Sequence, residues 1–156
     1  SPSRRHKSWV QEGGIPTPLI IHWPVGIATR GEVRQTVGHV IDLAPTIVHL
    51  AGGTWPADTN APPPPGRDIS STFSNDAPLD RTLWWLHEGN RAVRKGNWKL
   101  VAARGEPWEL YNLATDRAEN RNLAAEDPEK VRELDQLWSE MAKQFEADAK
   151  RGAAVK

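Results

Sequence analysis

The chain has 156 residues and a mass of 17.4 kDa, the size of one domain or of a small domain plus part of another. Lys and Arg total 20, and Asp and Glu also total 20, which argues against nucleic acid and polybasic membrane partners, since both need a positive field. The absence of cysteine excludes disulfides, thiolate metal sites and cysteine nucleophiles within the chain.

The first predicted element is a strand over residues 18–23, an apolar run that stops at Pro24. The run does not alternate between apolar and polar residues, so we predict a strand that is buried on both faces. Residues 13–18 contain two glycines and two prolines, which predict a tight turn before this strand.

A helix is predicted over residues 42–51, because Pro45 suits a first helical turn and Gly52 suits the position just after a helix. Apolar residues at spacings of three and four predict one apolar face. These residues are Val40, Leu43, Ile47 and Leu50.

Residues 54–82 are irregular and include four consecutive prolines at 62–65, which predict a polyproline II stretch. Long loops of this kind are uncommon inside a compact domain, so we interpret the segment as a connector at a domain boundary.

Four short strands follow, at residues 82–87, 91–94, 98–102 and 108–112, with no helix between them. The short turns that join them favour an antiparallel meander. A final helix begins after Asp127, a good N-cap that precedes Pro128. Its predicted apolar stripe contains Val131, Leu134, Trp138, Met141 and Phe145. The predicted fold class is therefore α+β, with the helix packed on the sheet.

Two groups of residues are candidates for chemistry. Residues 4–7 form a basic cluster that includes Lys7 and could grip phosphate, sulfate or carboxylate, although a solvated surface run explains the same pattern. His87 and Glu88 form an ionisable pair beside Gly89, although a plain hairpin turn explains them as well. The five histidines show no zinc-binding spacing, and we predict no metal ligand in this chain.

Residues 5–24 read RHKSWVQEGGIPTPLIIHWP and resemble the arylsulfatases, in which a lysine precedes a Glu-Gly-Gly turn and a strand ending in Trp-Pro. Residues 39–52, 87–101 and 108–116 resemble later segments of the same family in the same order. The resemblance covers nearly the whole chain.

The resemblance implies an alkaline-phosphatase-like fold, in which a large α/β domain precedes a small domain of antiparallel sheet and C-terminal helix. This chain resembles only the C-terminal portion, and it lacks an initiator methionine, so we expect it to begin inside a longer protein. We predict that residues 1–53 finish the large domain, that 54–82 connect the two, and that 83–156 form the small domain.

The family hydrolyses sulfate esters with a formylglycine and a calcium ion, and the resemblance implies both for the parent protein. The formylglycine motif needs Cys or Ser with Pro two positions later, which this chain does not contain. The resemblance implies that Lys7 contacts the sulfate and has a catalytic role. His87 is a second candidate, for a residue that lines the substrate mouth. We expect the chain to be inactive alone.

Two alternatives remain open on the sequence: a phosphate ester or diester hydrolase of the same superfamily, or a non-catalytic interaction module. The expected partners are a sulfate ester, such as an aryl sulfate or a sulfated carbohydrate, and the missing N-terminal domain. Exposed apolar surface is also expected to drive association. No membrane span is expected, since no apolar run approaches about 18 residues. The resemblance suggests a periplasmic or secreted protein.

Overall fold

A computed structural model of the chain describes residues 3–55, 64–76 and 79–153. In chain order its elements are helix α1 (Leu43–Leu50), strands β1 (Thr82–His87), β2 (Asn90–Lys95), β3 (Trp98–Ala102) and β4 (Glu109–Asn112), and helix α2 (Pro128–Ala153). Short 3₁₀ turns cover Val40–Asp42 and Ser70–Phe73. Part of the predicted polyproline stretch, residues 62 and 63, lies outside the described residues.

The chain divides into two compact units. The sheet unit contains Ser1–Pro18 and Asp80–Phe145, and the α1 unit contains Leu19–Leu79 and Glu146–Lys156. The predicted boundaries at residues 53 and 83 refer to domains of a longer protein and stay a prediction. Neither α1 nor α2 combines the length and apolar character needed to cross a membrane, and the same holds for every helix in the described ranges.

The sheet is the predicted antiparallel meander, with strand order β1-β2-β3-β4. The β1–β2 turn consists of Glu88 and Gly89, both with positive φ (51° and 84°), which suits the twist of a two-residue hairpin. Val93 pairs with Leu100, and Leu100 pairs with Leu110, so these three apolar side chains share one face.

Helix α2 covers that face, as predicted. Leu134 is 1% exposed and belongs to one core cluster with Val93, Leu100 and Leu110. The ring of Trp84 on β1 stacks on Trp138 of α2 with centroids 5.6 Å apart. The helix begins where the sequence predicts, because the backbone N–H of Lys130 donates to Asp127 Oδ1 at 2.9 Å. The predicted α+β class is confirmed.

The opposite face of the sheet is covered by residues 4–15, which form no regular helix or strand. The buried residues of this second cluster are Val10, Ala92, Val101, Tyr111 and Leu113. Ile15 and Trp85 pack against them. The strands are therefore buried on both faces, and the N-terminal segment is an integral layer of the sheet unit.

The prediction of a strand at residues 18–23 is wrong for this structure. The segment has no regular secondary structure, and Leu19 and Ile20 are 54% and 89% exposed. A strand needs a neighbour to satisfy its backbone groups, and among the described residues only β1 to β4 pair in a sheet.

Helix α1 has nearly the predicted bounds, but its polar face is the buried one. Asp42 accepts from the backbone N–H of Arg67 at 2.9 Å, and Thr46 Oγ1 accepts from that of Ile69 at 3.0 Å. The predicted apolar face lies outward instead, with Val40 72% and Ile47 65% exposed. Hydrogen bonds to residues 67–69 therefore help to orient the helix in its unit.

Candidate functional site

Lys7 lies in a tightly folded segment, residues 4–14, which we call the Lys7 loop. Its side chain is exposed and its backbone has a φ of 51°. The loop closes on itself, because the N–H of Trp9 donates to the His6 carbonyl at 3.3 Å and the N–H of Gly13 donates to the Arg4 carbonyl at 2.9 Å. Left-handed backbone in a lysine is strained, so the surrounding contacts must impose it.

Gly13 and Gly14 permit this closure. A Cβ on Gly13 would lie 2.0 Å from the carbonyl oxygen of Arg5, and one on Gly14 would lie 1.9 Å from that of Trp9. Only a residue without a side chain lets the two halves of the loop approach this closely.

Arg4 attaches the loop to the sheet. Its Nη1 donates to Glu109 Oε2 at 2.8 Å and to the Tyr111 hydroxyl at 2.6 Å. Burial raises the pKa of the Tyr111 hydroxyl, and the negative charge of Glu109 raises it further. Tyr111 therefore stays neutral at physiological pH and serves as an acceptor for Arg4.

The basic cluster is thus divided between two roles. Arg5 pairs with Glu106 at 3.1 Å and lies over the ring of Trp9 at 4.0 Å. The side chains of His6 and Lys7 are exposed, and Lys7 forms no ion pair with any residue in the described ranges. Of the four basic residues, these two have exposed side chains, whereas Arg4 and Arg5 are half-buried.

His87 ends β1 and is exposed at the hairpin turn. Asn90, on the other side of that turn, is 5% exposed, and its Nδ2 donates to the carbonyl of Ser8 at 3.1 Å. Its Oδ1 accepts from the N–H of Arg104 at 3.1 Å. The structure therefore links the turn that carries His87 to the neighbour of Lys7.

A buried charge cluster joins the loop to the sheet and was not expected from the sequence, although Lys99 lies in the predicted strand at residues 98–102. Lys99 is 0% exposed, and its Nζ lies 2.7 Å from Glu12 Oε1 and 2.9 Å from Glu119 Oε1. The other oxygen of Glu119 accepts from the backbone N–H of Glu12 at 2.8 Å. We call Lys99, Glu12 and Glu119 the buried triad.

Gln11 carries a further buried amide. The residue is 0% exposed, and neither Oε1 nor Nε2 has a hydrogen-bond partner within the part of the chain that the structure describes. Its backbone carbonyl accepts from the N–H of Gly14 at 2.8 Å, which any residue at this position can provide.

We expect Gln11→Leu to raise the free energy of unfolding by about 1 kcal/mol, since it removes two unsatisfied polar atoms and no hydrogen bond. Urea denaturation checks this, with Gln11→Glu as the opposite case that buries a charge and must destabilise. A loss of stability in Gln11→Leu would contradict the expectation.

The described ranges contain no group of three or more His, Cys, Asp or Glu side chains arranged to hold a metal ion. The Lys7 loop, the His87 turn and the buried triad all lie in the sheet unit.

Comparison with known proteins gives a consistent set of relatives. The chain is 33% identical over 149 residues to an uncharacterized sulfatase of Schizosaccharomyces pombe, a match that covers 88% of the chain and 27% of the relative. It is 26% identical over 142 residues to an N-acetylgalactosamine-6-O-sulfatase of Bacteroides thetaiotaomicron, covering 81% of the chain and 27% of the relative. No family model matches the chain.

Among solved structures, the crystal structure of Ps i-CgsB superposes with a TM-score of 0.76 at 23% identity, covering 92% of this chain and 32% of that one. This likeness confirms the predicted alkaline-phosphatase-like fold class. The chain spans about a quarter of the length of the curated relatives that it matches, consistent with the predicted C-terminal portion of a longer protein.

Proposed function

Because this chain belongs to the sulfatase family, we propose that it is the C-terminal part of an enzyme that hydrolyses sulfate esters, in which Lys7 contacts the sulfate group. One observation carries the proposal for Lys7: its side chain is exposed at the tip of a loop that is otherwise closed and paired internally. A cation in that setting is available to an anion, and the closed loop fixes the backbone that carries it.

The chemical role that we propose for Lys7 is electrostatic. Its ammonium group would stabilise negative charge on the sulfate oxygens and on the leaving group as the ester bond breaks. The described residues do not fit a calcium site, so we propose that the calcium ion and the formylglycine of the family belong to other parts of the parent enzyme.

We propose a sulfated carbohydrate as the substrate class. One relative is named for a sulfate on N-acetylgalactosamine, and such a substrate extends well beyond its sulfate group. We propose that His87 contacts the sugar beside the sulfate, and its exposure on a turn that Asn90 ties to Ser8 supports this. A periplasmic or secreted location would give access to such polymers and is part of the proposal.

We further propose that the rest of the parent protein covers the exposed apolar surface of the α1 unit. That surface contains Leu19, Ile20, Val40 and Ile47, all at least 54% exposed. Large exposed apolar surfaces are uncommon on proteins that act alone. The relatives are several times longer than this chain, so they contain enough polypeptide to cover it.

The chain alone is therefore expected to show no turnover of a chromogenic aryl sulfate, with or without added calcium. Turnover above the buffer rate by the purified 156-residue chain would contradict this proposal. The positive control is the full-length parent protein under the same conditions.

In the full-length protein we expect Lys7→Asn to lower kcat/KM for a sulfate ester by about 10²–10³-fold, the loss typical of one preorganised donor. Asparagine tolerates left-handed backbone, so the substitution removes the charge while keeping the loop conformation. Steady-state kinetics measure the rate, and thermal unfolding checks that stability is nearly unchanged.

A phosphate ester of the same alcohol tests the alternative activity. If the parent hydrolyses the phosphate ester faster than the sulfate ester, the phosphate hydrolase replaces the sulfatase proposal. If Lys7→Asn leaves sulfate turnover unchanged, the proposed role of Lys7 is wrong even though the family assignment stands.

A further inference from the structure

The buried triad raises a question that stability alone does not answer. A lysine that is 0% exposed and two carboxylates that are 5% and 1% exposed have all been removed from water. Replacing such a buried ion cluster by apolar residues of similar volume is often neutral or stabilising. Its presence beneath the Lys7 loop is therefore better explained by what it holds in place.

The other two members of the triad each hold Glu12. Lys99, from the central strand β3, holds the carboxylate of Glu12 at 2.7 Å. Glu119, from the loop after β4, holds the backbone N–H of the same residue at 2.8 Å, and it does so from a left-handed φ of 58°. Side chain and backbone of one residue are thus attached to two separate parts of the sheet unit.

Glu12 in turn fixes the backbone around Lys7. The next residue, Gly13, donates its N–H to the Arg4 carbonyl, and Gly14 lies against the Trp9 carbonyl. A second attachment comes from Asn90, which donates to the carbonyl of Ser8. Lys7 lies between these two attachments, in a backbone conformation that a free lysine rarely adopts.

We propose that Lys99, Glu12 and Glu119 are positioning residues that hold the Lys7 loop so that the Lys7 ammonium meets the sulfate. This inference rests on the proposed contact between Lys7 and sulfate. The three side chains are buried, so the proposal assigns them an effect on the reaction through Lys7 rather than through contact with the substrate. A displacement of about 1 Å in a positioned group lowers a rate by about 10²-fold.

The test is a double-mutant cycle in the full-length protein with a chromogenic sulfate ester. Glu119→Gln keeps the shape of the side chain and leaves Lys99 one carboxylate partner, so it should fold, and Lys99→Met is the stronger variant. In the parent background we expect each to lower kcat/KM, by about 10-fold to 10²-fold for the stronger one. In a Lys7→Asn background we expect the same substitutions to change the rate less than about twofold, because a positioning residue has nothing left to position.

Leu134→Ala is the matched control, since it weakens the same sheet unit from the opposite face, where α2 packs. Assayed at a temperature where circular dichroism shows every variant folded, it should leave kcat/KM nearly unchanged in both backgrounds. The positioning role alone would be overturned by either of two results. The triad variants could lower kcat/KM equally with and without Lys7, or they could leave kcat/KM unchanged in the parent background. A Lys7→Asn variant with full activity would overturn the proposed function and this inference with it.

Discussion

Replacing Lys99 by methionine is expected to lower the free energy of unfolding by about 3–5 kcal/mol at neutral pH, the range for removing one partner of a buried ion pair. Methionine nearly matches the length of the lysine stem, so the loss comes from the charge rather than from a cavity. Glu12 and Glu119 would be left as two buried carboxylates, 5% and 1% exposed, with no cation between them. Urea denaturation of the variant and its parent measures the difference.

The control variant also removes the two carboxylate charges that Lys99→Met leaves without their lysine. Adding Glu12→Gln and Glu119→Gln to Lys99→Met leaves a neutral cluster of almost the same shape, and we expect it to recover most of the lost stability. If the triple variant is as unstable as Lys99→Met alone, packing rather than charge accounts for the loss.

The loss of unfolding free energy in Lys99→Met should also depend on pH. Burial raises the pKa of the Glu119 carboxyl above its ordinary value, while the charge of Lys99 opposes that rise. Without Lys99, the pKa of the Glu119 carboxyl in the folded state rises further. A raised folded pKa favours folding below the unfolded pKa, and that contribution is lost as the pH rises through the folded pKa.

The deficit is therefore expected to be largest at neutral pH and to shrink as the pH falls toward the ordinary glutamate pKa of about 4.3. Unfolding curves at several pH values between these limits provide the measurement. A deficit that stays constant across that window would show that the carboxylates are not the source of the instability.

The local sequence carried enough information for the meander and for α2. Each strand is short and bounded by a turn, and Asp127 followed by Pro128 marks the helix start. These features act over a few residues, so periodicity and capping are sufficient to predict them. Lys7 was likewise singled out by a local motif, although its proposed contact with sulfate stays a prediction.

The buried triad could not be predicted, because its contacts join residues far apart in the chain. Glu12 and Lys99 are 87 positions apart, and Glu12 and Glu119 are 107 apart. A lysine in an alternating strand is normally a solvent-facing residue. Only the knowledge that residues 4–15 cover the second face of the sheet would have placed Lys99 in the interior.

Two other predictions were wrong for a different reason. They are the strand at residues 18–23 and the burial of the apolar face of α1. Leu19, Ile20 and Ile47 have the composition of buried residues, yet they are exposed in the structure. Apolar periodicity predicts that a face will be covered, but it does not say by which polypeptide. These mismatches fall in the α1 unit, where we propose that the parent protein supplies the cover.

Gly14→Ala is expected to destabilise the sheet unit by about 3 kcal/mol or more, the upper end of the range for overpacking. The new Cβ would lie 1.9 Å from the carbonyl oxygen of Trp9 and 3.2 Å from that of Lys7, and both are backbone atoms that cannot rotate away. The loop must open, which would also expose Val10 from its core cluster. Thermal unfolding and tryptophan fluorescence report the change.

The chain provides its own control at Gly152, in the last turn of α2, where a Cβ would meet no atom within 4 Å. Gly152→Ala should therefore be neutral or should stabilise by up to about 1 kcal/mol, because alanine restricts the unfolded chain and favours helix. If both alanine variants were equally stable, the close approach at Gly14 would not be what shapes the Lys7 loop. If only Gly14→Ala loses stability, the Glu-Gly-Gly turn is a steric requirement for presenting Lys7. The motif is then explained by backbone geometry.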